Sequence, residues 1–326
     1  MDAQRSAHRA HFRYAKRRRD CMRIGLPGLG STVDDVVRRA QRADEDGFTT
    51  LWFNSAAAGD PLLAIANAGR ATSRIELGTA VVQTYPCHPL LLASRAAAVV
   101  SAIGDPRFTL GVGPSHRPVI EGMLGLSYEN AGRHTDEYVQ ILAPLLRGEA
   151  VNFSGTDFRV NATPPAVPDG MAVPVLVAAL APRLLRAAGR HTAGTVLWMA
   201  NATAIAEHIA PEISKAAAEA GHPSPRIVAG LPIAVHDDVS EARETAGKQF
   251  AAYGNLPNYQ RVIKKGRVAG PAEAAIVGDE DAVAIQIEAL FAAGATDVWA
   301  APFPVGGDRA ASRARTNALL KELANA

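Results

Sequence analysis

Two histidines have the residue type and the position to move protons. His116 follows the turn Gly111-Val112-Gly113, and His88 precedes Pro89 at the start of a predicted helix. Imidazole gains and loses a proton near neutral pH, so either side chain could serve a reaction that needs a proton donor or acceptor. The alternative for each is an ordinary solvated loop histidine. His116 is the predicted catalytic residue.

A run of small residues predicts a site for a phosphate group. Ala178, Ala179, Leu180 and Ala181 follow a predicted strand, and Pro182 opens the next helix. Small side chains let an anion approach the backbone N–H groups at a helix N-terminus, and proline suits the first helical position. The alternative is a plain alanine-rich turn from strand to helix.

These residues lie in a chain that alternates strand and helix patterns. Strands separated by helices pair in parallel and are covered on both faces. Eight such units in about 300 residues predict an α/β fold, a (β/α)₈ TIM barrel. The predicted strands cover residues 22–27, 48–54, 75–82, 107–111, 173–177, 194–197, 227–235 and 296–301. An alternating pattern over residues 151–160 predicts a small inserted hairpin.

Active sites of such barrels lie where the strands end. The predicted second, third and fourth strands end in three groups of candidates that would face one mouth. These are Asn54 and Ser55; Ala80 to Gln83; and Gly113 to His116. The alternative is that they are ordinary loops with small residues.

A dinucleotide-binding doubly wound sheet is the rival architecture, and two residues argue against it. Gly28 and Gly30 follow the first strand, but the third glycine of the phosphate fingerprint is Val33. The second strand ends in Asn54 where an acidic residue should contact the ribose hydroxyls.

Composition and charge exclude several classes of protein. The net charge of +2 divides into +5 over residues 1–21 and −3 over the rest, so the body offers no basic surface for nucleic acid. No apolar stretch reaches the roughly 18 residues of a membrane-spanning helix. Two cysteines, Cys21 and Cys87, form neither a disulfide framework nor a zinc motif, so we expect no metal and a reducing cytoplasm.

Residues 1–21 form a basic extension, and residues 22–326 are predicted to form one domain. The extension has the composition of a nucleic-acid or membrane arm, of a transit peptide, or of upstream sequence that does not fold. We expect disorder, because its charges offer no apolar face to bury.

Several segments together resemble the bacterial luciferase-like family, over nearly all of residues 22–326. They are Gly47-Phe48-Thr49-Thr50-Leu51-Trp52-Phe53-Asn54, Ile75-Glu76-Leu77-Gly78-Thr79-Ala80-Val81, Tyr85-Pro86-Cys87-His88-Pro89, Phe108-Thr109-Leu110-Gly111-Val112-Gly113 and His134-Thr135-Asp136-Glu137-Tyr138-Val139. The C-terminal Gly270-Pro271 and Ala275-Ile276-Val277-Gly278-Asp279 are most similar to the branch that uses coenzyme F420.

The resemblance implies a barrel of the luciferase-like type, a deazaflavin or flavin at the strand ends, and redox chemistry. It implies a cis peptide bond between Ala80 and Val81. The implied cofactor-binding residues are Asn54, Ser55, Thr79, Ala80, Val81, Gln83, His88, Gly111, Gly113, Ala178, Ala179, Leu180 and Ala181. Sugar-phosphate dehydrogenases of the family have a histidine where this chain has Ala56, which argues against that activity.

The function predicted from this resemblance is hydride transfer between coenzyme F420 and a small organic substrate. Two alternatives stay open: an FMN-dependent monooxygenase, and a non-catalytic member that only binds cofactor. Arg183 and Arg117 are the basic groups predicted near the acidic F420 tail. Trp198 and Trp299 are predicted as wall or core residues, while Tyr253, Leu256 and Tyr259 are predicted in a loop that closes over the substrate. The expected partners are the small-molecule substrate and, as a homodimer, a second copy of the chain.

Overall fold

Eight parallel strands close into a barrel in the computed structural model, which describes residues 22–55, 59–167 and 171–326. The predicted N-terminal extension and Ala56 lie outside these residues. In ring order the strands are β1 (Ile24–Pro27), β2 (Thr50–Phe53), β3 (Glu76–Thr79), β5 (Phe108–Gly113), β8 (Val175–Val177), β9 (Gly194–Trp198), β10 (Arg226–Val235) and β12 (Asp297–Pro302). Pairing of β12 with β1 closes the ring, which confirms the predicted (β/α)₈ fold.

Within the described ranges, four further strands lie off the ring. β4 (Val82–Gln83) pairs with β5, and β11 (Ile276–Gly278) pairs with the end of β10. β6 (Val151–Ser154) and β7 (Arg159–Ala162) form the predicted antiparallel hairpin. The predicted third strand, 75–82, is split into β3 and β4 at residues 80 and 81, where the backbone turns.

Helices surround the barrel. In the described part of the chain they are α1 (Val33–Glu45), α2 (Pro61–Arg70), α3 (Pro89–Ile103), α4 (Arg117–Ile120), α5 (Ala131–Leu146), α6 (Pro182–His191), α7 (Ala202–Ala204), α8 (Ala210–Glu219), α9 (Val239–Gln249), α10 (Ala251–Gly254), α11 (Pro257–Lys265), α12 (Pro271–Ala274), α13 (Glu280–Ala292) and α14 (Arg309–Ala324). A π-helical turn, Ile205–Ile209, joins α7 to α8. No helix in these ranges is both long and apolar enough to cross a membrane.

Local sequence determines where several helices begin. The side chain of Thr32 accepts a hydrogen bond from the N–H of Asp35 and caps α1, and Asp279 caps α13 in the same way. Gly47, two residues after the end of α1, has a left-handed φ of +82°, a backbone conformation that glycine adopts without a steric penalty.

A carboxylate on α5 holds the turn of the hairpin. Glu137 on α5 accepts hydrogen bonds from the N–H groups of Thr156 (2.9 Å), Asp157 (2.8 Å) and Phe158 (3.1 Å). These bonds provide an acceptor for three backbone N–H groups of the turn between β6 and β7, and they hold the hairpin against α5.

Five polar side chains fill the end of the barrel where the strands begin, and we call them the floor cluster. The members are Arg23, Glu76, Thr109, Arg226 and Asp297. Arg226 donates to Asp297 (3.0 and 2.6 Å) and to Glu76 (2.5 and 3.1 Å), while Arg23 donates to Asp297 (2.8 Å). Burial alone would raise the pKa of Asp297, but hydrogen bonds and charge from Arg226 hold it below its usual range.

Large indole rings fill the barrel interior above the floor cluster. The Arg226 guanidinium lies 5.4 Å from the ring of Trp52, which is 1% exposed. Glycines on other strands make room: a Cβ on Gly78 would lie 2.4 Å from the Trp52 ring, and one on Gly230 would lie 2.4 Å from Trp299. The interior is therefore packed from the floor to the mouth.

Candidate cofactor and substrate site

Three predicted site residues meet where their strands end. Gly113 closes β5, and a Cβ there would lie 2.9 Å from the Cβ of Ala178 and 3.0 Å from Cγ2 of Val81. The ends of three strands therefore approach one another over a surface of small side chains. The peptide bond between Ala80 and Val81 is cis, as predicted.

Thr79 and Gly111 lie just inside this surface and join β3 to β5. The Thr79 hydroxyl donates to the Gly111 carbonyl (2.7 Å) and accepts from its N–H (2.8 Å). A Cβ on Gly111 would lie 2.0 Å from the Thr79 carbonyl oxygen, so only glycine permits this approach. The Thr79 hydroxyl and the Gly111 backbone therefore bond to each other, which strengthens the pairing of β3 with β5 below the mouth. Their predicted contact with a cofactor stays a prediction.

A short network holds the loop after β5. Gln83 donates from Nε2 to Oγ of Ser115 (3.2 Å), and the Tyr128 hydroxyl donates to the Ser115 carbonyl (2.7 Å). Ser115 itself has a left-handed φ of 61°. Ser115 was predicted only as part of the segment Gly113 to His116, and Tyr128 was not predicted, because nothing in the local sequence links two positions that the fold brings together. Their contacts fix the backbone immediately before His116.

His116 projects from this loop into a half-buried position. It occupies the N-cap of α4 but makes no capping hydrogen bond. Burial lowers the pKa of its imidazole, so the ring is neutral at pH 7. A neutral imidazole has one N–H donor and one acceptor nitrogen, which are the groups that proton transfer to or from a substrate requires.

An aromatic arc runs from His116 across the barrel, and its members are His116, Tyr259, Tyr253, Trp198 and Trp299. Successive ring centroids lie 5.5, 5.1, 5.7 and 5.0 Å apart. The arc connects the loop after β5 with the end of β9 and the middle of β12. It forms an apolar wall with hydroxyl and indole N–H groups along it, suited to hold a flat organic ring and exclude water.

The segment that carries the two tyrosines is helical, which corrects the predicted loop. Tyr253 lies on α10 and Tyr259 on α11, which begins at Pro257, and Leu256 is the N-cap between them. Tyr259 is 8% exposed, and Leu256 packs partly buried against the core. The prediction of a loop failed because proline at the first helical position starts α11 instead of interrupting structure.

The alanine-rich turn after β8 presents unused backbone donors. Ala178 donates its N–H to Val112 O (2.8 Å), but among the described residues none accepts from the N–H groups of Ala179, Leu180 or Ala181. Ala181 is the N-cap of α6 and offers no side-chain cap. This arrangement fits a bound phosphate, because free N–H groups and the helix dipole both favour an anion there.

The other predicted residues lie at the edge of the site. His88 caps α3, accepting at Nδ1 from the N–H of Leu90 (3.3 Å), and its ring lies 5.7 Å from Phe158 of the hairpin. The structure therefore gives His88 a capping role that the sequence prediction did not include. Asn54 and Ser55 follow β2 and are exposed.

The two arginines predicted near an acidic tail are half exposed and already paired. Arg183 lies 3.4 Å from Asp136, and Arg117 lies 2.5 Å from Glu121. The Arg117 guanidinium also lies 5.6 Å from the ring of Tyr128. Among the described residues, no group of three or more His, Cys, Asp or Glu side chains could hold a metal.

Comparisons of the sequence with known proteins point to one family. The model of the luciferase-like monooxygenase family matches residues 21–318. The 4-hydroxyprotoasukamycin monooxygenase of Streptomyces nodosus subsp. asukaensis is 37% identical over 129 residues, which cover 38% of this chain and 34% of that protein. The F420-dependent hydroxymycolic acid dehydrogenase of Mycobacterium tuberculosis is 28% identical over 235 residues, 68% of this chain and 64% of that protein.

A solved structure agrees at the level of the fold. The crystal structure of monooxygenase RslO1 from Streptomyces bottropensis superposes with a TM-score of 0.71 at 22% sequence identity, covering 92% of this chain and 98% of that one. Among the curated relatives, the chain spans about a third of the length of the 4-hydroxyprotoasukamycin monooxygenase and just under two thirds of the length of the hydroxymycolic acid dehydrogenase.

Proposed function

Because the chain belongs to the luciferase-like monooxygenase family, we propose that it is an oxidoreductase that transfers a hydride between coenzyme F420 and a small organic substrate. The observation that carries the proposal is the position of His116, half-buried and without a capping bond, at one end of the aromatic arc. Hydride transfer to a carbonyl, or from an alcohol, needs a group that moves a proton beside the reacting carbon.

Different residues of the mouth would hold the phosphate and the ring of the cofactor. The N–H groups of Ala179, Leu180 and Ala181 would bind the phosphate, and the small surface at Val81 and Gly113 would support the flat ring. When bound, a deazaflavin supplies two-electron redox chemistry at one ring carbon. The protein supplies orientation, a dry surface and the proton.

His116 would accept or donate that proton according to the direction of the reaction. Because burial lowers the pKa of its imidazole, the neutral form is ready at pH 7 to take a proton from an alcohol. In the opposite direction the protonated ring would donate to a carbonyl oxygen. Tyr259 lies beside the ring and excludes water from its face, since it is itself buried.

An FMN-dependent monooxygenase on the same fold is the second candidate. The observation in its favour is the 37% identity to a protein named as a monooxygenase, over 129 residues. FMN shares the flat ring and the first phosphate with F420, so the same mouth residues would hold it.

A titration of both cofactors tests the proposal. Fluorescence is recorded as F420 and, separately, FMN are added to the protein at low and at physiological salt. We expect micromolar or tighter binding of F420 and weaker binding of FMN. Tight FMN binding with oxygen-dependent turnover and no response to F420 would assign the protein to the monooxygenase branch.

A further inference from the structure

Helix α6, which begins at the alanine-rich turn, is contacted by a histidine at each end. His208 places Nε2 3.0 Å from the carbonyl oxygen of Leu180, just before the helix. His222 places Nε2 2.9 Å from the carbonyl oxygen of Arg190, in the last turn. A carbonyl oxygen only accepts, so Nε2 carries the hydrogen in both side chains.

The bond from His208 orients a peptide unit of the turn. Leu180 C=O and Ala181 N–H belong to the same planar trans peptide, so they point in opposite directions. With the carbonyl directed at His208, the N–H of Ala181 is turned away from His208. None of the described residues accepts a hydrogen bond from that N–H. A rotated peptide would instead present a carbonyl oxygen, which repels an anion.

Packing fixes the position of His208. It lies on the π-helical turn Ile205–Ile209, whose two end residues are both 0% exposed. The neighbouring Glu207 forms an ion pair with Arg267 (2.7 Å) just after α11. A π turn inserts an extra residue into a helix and so changes which side chains face a given neighbour. Here it directs the imidazole at the alanine-rich turn.

We propose that His208 is a positioning residue for the cofactor phosphate, because it keeps the Leu180–Ala181 peptide oriented with its N–H available to the anion. This inference rests on the proposed function and adds a residue outside the mouth. His222 is the matched comparison, since it makes the same bond to the same helix at the end where no phosphate would lie.

The test separates phosphate recognition from ring recognition. Dissociation constants are measured for FMN and riboflavin, and for F420 and the deazaflavin chromophore without phosphate, with wild type, His208→Ala and His222→Ala. We expect His208→Ala to weaken the two phosphate-bearing ligands about tenfold, the size of one charge-assisted hydrogen bond, and to leave the phosphate-free ligands within about twofold. His222→Ala should change neither, and His208→Gln, which retains an N–H donor, should restore phosphate binding.

Equal weakening of all four ligands, or no change in any, would overturn the inference while leaving the proposed function intact. Failure of the wild-type protein to bind either cofactor would overturn the proposed function itself. If His208→Ala does not fold, His208→Gln and His208→Met replace it. Gln donates and Met does not, so only the Met variant should lose the advantage of the phosphate-bearing ligands.

Discussion

The two ends of the barrel differ in how completely their polar groups are hydrogen-bonded. At the floor, each charged side chain of the cluster around Arg226 is paired, and the carboxylates of Glu76 and Asp297 each accept from two arginines. At the mouth, the imidazole of His116 makes no capping bond, and the turn after β8 keeps unused N–H groups. Saturated pairing stabilises a fold, whereas unsaturated groups are available to bind and react with other molecules.

The contrast predicts that substitutions at the mouth change kinetics while substitutions at the floor change stability. The largest expected effect is on turnover. His116→Ala should lower it about 10²–10⁴-fold, since it removes the proton-transfer group while cofactor affinity changes little. Steady-state rates with reduced and oxidised cofactor measure this, together with the titration described above.

His222→Ala is the control for loss of an imidazole elsewhere, and it should retain wild-type turnover. Unaltered turnover in His116→Ala would show that His116 is an ordinary half-buried loop histidine. A large loss of thermal stability in the same variant would break the division between floor and mouth.

At the floor, Asp297→Asn should lower the free energy of unfolding by about 3–5 kcal/mol, because it replaces a buried carboxylate and leaves the largely buried Arg226 and the half-exposed Arg23 with one charged partner fewer. Urea unfolding followed by circular dichroism measures the change. Glu244→Gln removes one partner of the exposed pair with Lys248 and should leave the free energy of unfolding nearly unchanged. If the two variants lost equal stability, the floor cluster would have no special role.

The pH dependence of turnover tests the role of His116 at the mouth. Burial lowers the pKa of His116 below its usual 6.5, so the neutral form predominates above that pH. Alcohol oxidation should therefore be level at neutral pH and fall about tenfold per pH unit below the lowered pKa, while the reverse reaction should fall as pH rises through it. Rates in both directions between about pH 4 and pH 9 test this. A limb above pH 6.5 that persists in His116→Ala would belong to another group.

The smallest effect concerns the rim. Arg183 is half exposed and already pairs with Asp136, so Arg183→Gln should change F420 affinity by at most about fivefold, and less at high salt. Titration of F420 at two salt concentrations measures it, with Arg186→Gln, one turn further along α6, as the control. A loss of a hundredfold would mean that the rim, and not the backbone turn, dominates tail recognition.

The barrel could be predicted from the sequence because its signals are local. Each strand is a short apolar run between helices, so seven of the eight predicted ring strands agree with the structure within two residues at each end, and the third is split at the cis peptide. The floor cluster could not be predicted, since Arg23, Glu76 and Asp297 meet only when the ring closes. The capping role of His88 was missed because it depends on the geometry of one helix start.

The strand ends that carry the candidate site were predictable for the same reason. The turn Ala178–Ala181 and the contact of Val81 with Gly113 follow strand ends, whose positions a barrel fixes. The aromatic arc depends on α10 and α11 folding over Trp198, a contact between distant parts of the sequence. His208 is a lone histidine in a helical segment, and its sequence contains no signal that it reaches Leu180.

The chain has three tryptophans, and all of them line the barrel interior. Trp52 lies above the floor cluster, Trp299 packs against the group of buried residues around it, and Trp198 reaches the mouth. Intrinsic fluorescence therefore carries no contribution from surface tryptophans. A change in this fluorescence on unfolding would report on the whole barrel. Energy transfer from Trp198 and Trp299 to an added coloured cofactor would report whether the cofactor binds.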